Sequence, residues 1–173
     1  MDFNTAFQKL LDREGRTLST DPYDPGNWTG GVCHVGTLKG SKYGISAGAH
    51  PDLDIPNLTE DQAAALYQQE YWTPIQGDKL PDPVAYQAFD EAVQAGPKAA
   101  VKMLQMAVGV PADGLLGPTT LAALQGMKPI MLTVRLQASM LNFYTSLSDW
   151  PTQGKGWARR VAKNLTDLDP YLV

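Results

Sequence analysis

The sequence has few of the residues that several common functional classes need. Among 173 residues it contains one cysteine, Cys33, and two histidines, His34 and His50. A single cysteine excludes an intrachain disulfide framework and fits a chain made in a reducing compartment. These three side chains lack the fourth ligand of a structural zinc site, and no P-loop or dinucleotide fingerprint is present. We therefore expect neither a metal centre nor a cofactor.

Charge and long apolar runs are also scarce. Charged residues make up 18% of the chain, its formal net charge is −4 and its pI is about 5.0, which gives no electrostatic reason to expect nucleic acid as a partner. No basic segment followed by an apolar run opens the chain, and no apolar run approaches the length of a membrane span. We expect a protein made in the cytoplasm, without stable membrane insertion, that needs a separate export route to act elsewhere.

The patterns that are present are mostly helical. Apolar residues recur every three and four positions from Phe3 to Leu11, which predicts a first helix ending at Gly15. The sequence Thr59–Gln62 is a capping box and predicts a helix to about Trp72. Further helices are predicted to begin near Ala85, Ala100, Pro118, Pro129 and Gly154. The helix from Pro129 is expected to be the longest and to be buried on two sides, including Val134 and Leu141.

A long segment without helical periodicity follows the first helix. Residues 18–42 are rich in Gly, Pro, Asp, Ser and Thr, and they predict either a mobile loop or an irregular hairpin around Gly36–Gly40. The aromatic residues within it favour an ordered segment that forms the wall of a site. Tyr43–Ser46 is expected to begin a short helical piece. The predicted fold is therefore mainly α, with one small hairpin or loop region after the first helix.

Carboxylates are the best catalytic candidates in this chain. Glu14 lies one turn after Leu10 and Leu11, so it is expected at the edge of the buried face, where apolar surroundings favour a protonated carboxylic acid. Asp24 follows ten positions later and Thr29 five after that. Cleavage of a glycosidic bond needs one protonated and one ionised carboxylate, and a threonine can place the water. Taken alone, a Glu at a helix end is more often simply solvated.

Several motifs together resemble one known family. The first set comprises Leu11–Gly15, Asp24–Gly31, Gly36–Ser46 and Tyr67–Trp72, and the second comprises Phe89–Val93 through Leu104–Gln105, Asp113–Pro118 and Thr120–Leu124. The first set resembles glycoside hydrolase family 108, which contains phage endolysins and bacterial muramidases that cut peptidoglycan. The second resembles the peptidoglycan-binding segment that follows in that family. The resemblance covers nearly the whole chain and implies a lysozyme-like helical fold.

The resemblance also assigns roles. It implies that Glu14 is the general acid that cleaves between N-acetylmuramic acid and N-acetylglucosamine, and that Asp24 and Thr29 place water or offset charge at the anomeric carbon. The chain departs from the family's Glu-Gly-Gly motif at Arg16 and has Asn27 where the family often has glycine. Glu70 is the reserve second carboxylate. Candidates for sugar contacts through aromatic faces are Trp28, Tyr43, Tyr71 and Trp72.

The family also implies an organisation and a setting. We expect a catalytic lobe at residues 1–83 and a helical, peptidoglycan-binding-like lobe at residues 84–173, joined without a linker as one integrated domain. The expected partner is bacterial peptidoglycan and the expected state is a monomer. A phage enzyme of this kind is made in the host cytoplasm, reaches the wall through a holin or another route, lyses the host and is antimicrobial.

Three alternatives remain open on the sequence. A lytic transglycosylase uses one Glu as acid and then base, with the sugar's own hydroxyl as nucleophile. A non-catalytic peptidoglycan-binding module needs no acid at all. An amidase or peptidase would use Cys33, although a cysteine beside His34 in a glycine-rich loop lacks the usual placement of a catalytic pair.

Overall fold

The computed structural model describes residues 1–168, which form seven α-helices and one two-stranded ribbon. The helices are α1 (Phe3–Glu14), α2 (Glu60–Tyr67), α3 (Val84–Ala95), α4 (Pro97–Val108), α5 (Pro118–Gln125), α6 (Pro129–Thr145) and α7 (Trp150–Thr166). The strands are β1 (Ser41–Lys42) and β2 (Ile45–Ser46), and short 3-10 turns lie at Pro25–Asn27 and Gly77–Lys79. The mainly α, lysozyme-like class predicted from the sequence is confirmed.

The chain divides into two compact units. The first, here called the loop unit, is Asn4–Gln68, and the second, here called the helical unit, combines Met1–Phe3 with the described residues from Gln69 onward. The division predicted at residues 83 and 84 stays a prediction.

In the loop unit, α1 is amphipathic as predicted. Phe7, Leu10 and Leu11 are at most 2% exposed, and the Phe7 ring lies 5.5 Å from the ring of Tyr67. Gly15 follows the helix at a φ of +89°, a conformation that glycine adopts at little cost, and its amide bonds to the carbonyl of Leu11. The capping box at Thr59 and Gln62 opens α2 as predicted.

The ribbon lies where the sequence predicted a helical piece, so that prediction was wrong. β1 and β2 pair antiparallel, with Lys42 opposite Ile45. Tyr43 and Gly44 connect them with φ values of +56° and +77°, which is the geometry of a type I′ two-residue turn. The hairpin was expected around Gly36–Gly40 and instead turns a few residues later.

Two lysines attach the segment after the ribbon. Lys39 Nζ donates hydrogen bonds to the carbonyl oxygens of Pro51 and Leu53, at 2.6 and 3.1 Å. Lys42 Nζ donates to the carbonyls of Pro56 and Leu58, at 3.3 and 2.8 Å. A segment with little regular structure is therefore held by charged donors on backbone acceptors.

In the loop unit, α2 is followed by a π-helical turn, Gln68–Trp72, so the predicted end of that helix near Trp72 is confirmed.

In the helical unit, α3, α4 and α6 pack on one another, and α7 packs on α6. The buried face of α6 includes Leu132, Leu136 and Met140. Val134 and Leu141 are 45% and 36% exposed, so the predicted second buried side of α6 was wrong. α6 and α7 are equally long, and α7 begins at Trp150, earlier than predicted.

The turn that resembles the peptidoglycan-binding segment is organised by Gln105. Its buried side-chain amide donates to Asp113 Oδ1, to the Leu115 carbonyl and to Thr120 Oγ1, and its oxygen accepts from the Gly114 amide. The hydrogen bond from Gln105, followed by that from the Leu115 amide, lowers the pKa of the Asp113 carboxyl. The residues of this turn are therefore accounted for by the hydrogen bonds that hold the turn together.

Candidate active site

Glu14 is the last residue of α1, directly before the glycine that ends the helix. Its side chain is exposed, so the expectation of partly apolar surroundings is not met. The backbone of Gly44, also in the loop unit, lies close to the Glu14 side chain. A Cβ added at Gly44 would lie 3.6 Å from Glu14 Cβ and 3.7 Å from Glu14 Cγ. The turn of the ribbon therefore packs against the stem of the candidate acid.

The geometry of that turn depends on Gly44 and Tyr43. A Cβ at Gly44 would approach Tyr67 Oη to 2.5 Å, closer than real contacts allow. The Tyr67 hydroxyl donates a hydrogen bond of 3.0 Å to the carbonyl of Tyr43. Tyr43 itself has a positive φ, which is uncommon for a residue other than glycine, asparagine or aspartate. Such strain is often found at functional sites, and here it positions the ribbon beside Glu14.

Asp24 and Thr29 both support the loop backbone. Asp24 Oδ1 accepts a hydrogen bond of 2.8 Å from the Gly26 amide and caps the short 3-10 turn that follows. Thr29 Oγ1 accepts a bond of 2.9 Å from the Thr37 amide. Asp24 is exposed and Thr29 is half-buried. Each therefore has a local structural role in the loop.

The ribbon connects the surroundings of the two carboxylates. A Cβ at Gly26, beside Asp24 Oδ1, would lie 3.6 Å from Ser46 Cβ. Ser46 is two residues from Gly44, roughly 7 Å along extended backbone. Glu14 and Asp24 therefore lie near opposite ends of one short ribbon in the loop unit.

The predicted sugar-binding aromatic residues have different environments. Trp28 is half-buried, donates from Nε1 to the Pro22 carbonyl at 3.0 Å, and its ring centroid is 5.0 Å from that of His34. Tyr43 is half-buried, with Lys42 Nζ 5.3 Å from its ring centroid. Both rings are ordered by contacts within the loop unit and still reach its surface.

The other predicted contact residues belong to the helical unit. Trp72 is 1% exposed, packs edge-on against Phe3 and Phe89, and donates from Nε1 to Asp78. Because its ring is enclosed by the core, its predicted role in sugar binding is corrected to packing. Tyr71 and Glu70 are half-buried; burial and then the neighbouring Glu70 charge raise the pKa of Tyr71.

Tyr23 is an exposed aromatic residue that was not among the predicted candidates. It immediately precedes Asp24, and its side chain is 82% exposed. Its backbone is nevertheless fixed, because its amide donates to Asp21 Oδ1 and its carbonyl accepts from Cys33 Sγ at 3.3 Å. The signal was available in the sequence, since an aromatic residue next to a candidate catalytic carboxylate is a natural sugar-stacking position.

A buried acidic cluster in the helical unit was also missed. Asp90 and Glu91 on α3 are both 0% exposed. Arg160 donates to Asp90 Oδ1 at 2.7 Å, and Tyr144 donates to Glu91 Oε2. Burial is the main cause that raises the pKa of Glu91 to about 7. The adjacent acidic pair in an otherwise apolar helical face was the available signal.

Within residues 1–168, no group of three or more His, Cys, Asp or Glu side chains is arranged to hold a metal ion. Within the same range, no helix combines the length and the apolarity needed to cross a membrane.

Comparison with known proteins decides the family. Residues 7–96 match the profile of Glycosyl hydrolase 108. The chain belongs to glycosyl hydrolase family 108. Residues 99–162 of this family 108 protein match a second profile, described as a predicted peptidoglycan domain. The predicted resemblance is therefore confirmed.

A solved structure agrees with that membership. The structure of SagA from Brucella abortus is similar, with a TM-score of 0.76 and 31% sequence identity over 95% of this chain and 92% of that chain. A comparison with curated proteins gives no match. The family 108 protein is therefore a glycoside hydrolase that degrades peptidoglycan in the cell wall.

Proposed function

We propose that the protein is a muramidase that hydrolyses the glycosidic bond between N-acetylmuramic acid and N-acetylglucosamine, with Glu14 as general acid. The observation that carries this proposal is the position of Glu14. It ends a helix anchored by buried residues, the residue is exposed, and the ribbon turn at Gly44 packs against its stem. A rigid stem and an accessible carboxylic acid are what proton donation to a polymer requires.

In the proposed mechanism, Glu14 donates its proton to the glycosidic oxygen as the bond to the anomeric carbon breaks. The Asp24 carboxylate offsets the positive charge that develops at that carbon or orients the water that adds there. Asp24 Oδ1 already accepts from the Gly26 amide, which fixes the orientation of the carboxylate. Thr29 orients the loop and, through its hydroxyl, the water.

The exposed and half-buried aromatic rings of the loop unit suit the flat faces of pyranose rings. We propose that Tyr23, Trp28 and Tyr43 contact the glycan. Tyr71 and Glu70 remain predicted contact residues.

The decisive experiment compares wild type with Glu14→Gln on purified peptidoglycan. Loss of a general acid costs about 10²- to 10⁴-fold in turnover, while the circular dichroism spectrum and melting temperature stay unchanged because the side chain is exposed. Glu60→Gln is the matched control, since Glu60 is another partly exposed carboxylate of the loop unit. Wild-type activity in Glu14→Gln would end the proposal.

One observation favours a second candidate, a lytic transglycosylase. Asp24 and Thr29 each support the loop backbone through a hydrogen bond, which accounts for both residues without a role in activating water. A single-Glu mechanism needs neither. Mass spectrometry of the released muropeptides separates the two, because a transglycosylase leaves anhydromuramic ends and a hydrolase leaves reducing ends.

The resemblance to phage endolysins supports a proposed setting as well. We propose a monomeric phage enzyme that is made in the host cytoplasm, reaches the wall after holin release and lyses the host. Expression in the cytoplasm of a Gram-negative host with and without a holin tests this; rapid lysis without the holin would contradict it.

A further inference from the structure

The N-terminal half of α7 forms a surface pocket that the proposed mechanism does not use. The pocket has a volume of about 320 Å³ and is lined by Trp150, Pro151, Gly154, Lys155 and Ala158. These residues lie on successive turns of one helix face. All five fall within residues 99–162, the range that matches the predicted peptidoglycan domain. A pocket of this size is at the lower end of the range for small-ligand sites.

One wall of the pocket is the indole ring of Trp150, which lies against Gly154. A Cβ at Gly154 would lie 2.6 Å from Trp150 Cδ2, so any larger residue would displace the indole. Glycine is disfavoured inside a helix, and its presence here allows the indole to lie against the α7 backbone. Trp157 supports the arrangement from behind, with its ring centroid 6.3 Å from that of Trp150 and a stacked Tyr144 beyond it at 5.2 Å. The half-buried Trp150 is therefore a pre-positioned apolar surface.

Lys155 is the one charged residue among the five that line the pocket, and the acidic Asp149 directly precedes Trp150. α7 carries four basic residues and no acidic one, although the net charge of the whole chain is −4. Two of the basic residues are engaged, because Arg160 bonds to Asp90 and Lys163 pairs with Asp167. Lys155, at the pocket, is exposed and forms no ion pair within residues 1–168. An unpaired ammonium beside an apolar ring suits a ligand that combines a carboxylate with an apolar or sugar face.

Peptidoglycan offers that combination in its stem peptides, which carry free carboxylates next to alanine methyl groups. A glycan strand without peptide has one carboxylate per disaccharide, on the lactyl group of N-acetylmuramic acid, whereas a stem tripeptide has several. We propose that the Trp150–Lys155 pocket is an accessory binding site for the stem peptide of peptidoglycan, with a stem carboxylate on Lys155 and an apolar portion on Trp150. The inference rests on the proposed function for its substrate class, and it adds a second point of attachment remote in sequence from Glu14.

The test measures binding on the Glu14→Gln background, so that turnover does not alter the ligand. The probes are a purified disaccharide tripeptide from peptidoglycan and the same disaccharide without peptide. Titration calorimetry gives the affinity, and the indole N–H signals of Trp150 and Trp28 in an NMR spectrum report separately on the pocket and on the loop unit. We expect the tripeptide ligand, and not the bare disaccharide, to shift the Trp150 signal.

Two variants examine the Lys155 contact and the space of the pocket, and a third is the control. Lys155→Glu reverses the charge and is expected to weaken tripeptide binding at the pocket about tenfold or more. Ala158→Trp fills the exposed edge of the pocket and is expected to block binding without removing either contact residue. Lys102→Glu is the matched control, since Lys102 is exposed on α4 in the same domain and lies outside the pocket.

Unchanged tripeptide affinity in both Lys155→Glu and Ala158→Trp would overturn the inference, as would ligand-induced shifts confined to Trp28. Equal binding of the two probes with no effect of Lys155→Glu would also overturn it, because the pocket would then bind glycan. These outcomes are separable from failure of the proposed function, which is measured by the hydrolytic activity of Glu14→Gln with the pocket intact.

Discussion

Replacing Glu91 with glutamine removes a titrating group from the core of the helical unit. Glu91 is 0% exposed, and Tyr144 donates a hydrogen bond to one of its carboxylate oxygens. Among residues 1–168, no hydrogen-bond partner meets the other oxygen, Oε1. Burial first, and the charge of Asp90 to a lesser degree, raise the pKa of Glu91 from 4.5 to about 7, against the lowering effects of Tyr144 and Arg160.

The sign of the effect follows from linkage. A carboxyl whose pKa is raised by folding contributes its full stability below the unfolded pKa, near 4.5, and that stability is lost as the pH rises through about 7. A difference of about 2.5 pKa units corresponds to roughly 3 kcal/mol at 1.36 kcal/mol per unit. Ionised Glu91 therefore lowers the free energy of unfolding by up to about 3 kcal/mol at alkaline pH.

Glutamine keeps the shape and the acceptor for Tyr144 without the charge. We expect Glu91→Gln to match wild type within about 1 kcal/mol at pH 4.5 and to exceed it by roughly 1–3 kcal/mol at pH 8.5, allowing for an amide group that lacks a partner. Urea denaturation followed by circular dichroism from pH 4 to pH 9 measures the difference, in which titrations common to both proteins cancel. A difference that does not change with pH would refute the reasoning.

Three other substitutions address the loop unit and the ion pair. Gly44→Ala forces a Cβ to within 2.5 Å of Tyr67 Oη at a φ of +77°, so we expect about 1–3 kcal/mol of destabilisation in urea melts and reduced muramidase activity. Tyr23→Ala should leave the melting temperature unchanged, because the side chain is 82% exposed, and raise KM for peptidoglycan severalfold; an unchanged KM would remove Tyr23 from the site. Arg160→Gln removes the guanidinium that bonds to the buried Asp90 and should cost about 3–5 kcal/mol, with partial rescue by Asp90→Asn.

The helices of this chain were predictable because their signals are local. The capping box at Thr59, the proline at the start of α4 and the glycine that ends it act within a few residues of the boundary they set. The catalytic candidate Glu14 was likewise found from its position at the end of an apolar pattern and from family resemblance.

What escaped prediction depends on contacts distant in sequence. Tyr43 takes a positive φ against its own preference because the ribbon and the Tyr67 hydroxyl hold it there. No local pattern indicates this conformation, so the sequence predicted a helical piece instead of a turn. Trp72 looked like a surface aromatic because nothing local indicates that Phe89 encloses it. Val134 has the same apolar character as its buried neighbours on α6, and only the packing of other helices shows that its side is open.

The attachment of residues 51–58 by Lys39 and Lys42 has a consequence for acid tolerance. Both ammonium groups bond to backbone carbonyls, which do not titrate, so these four attachments do not depend on the ionisation of any carboxylate. Acidification that protonates surface carboxylates leaves them in place. Acetylation of either lysine, by contrast, removes the charged donor that holds the segment against the ribbon. This part of the loop unit is therefore loosened by chemical modification of the two amines and not by acidification.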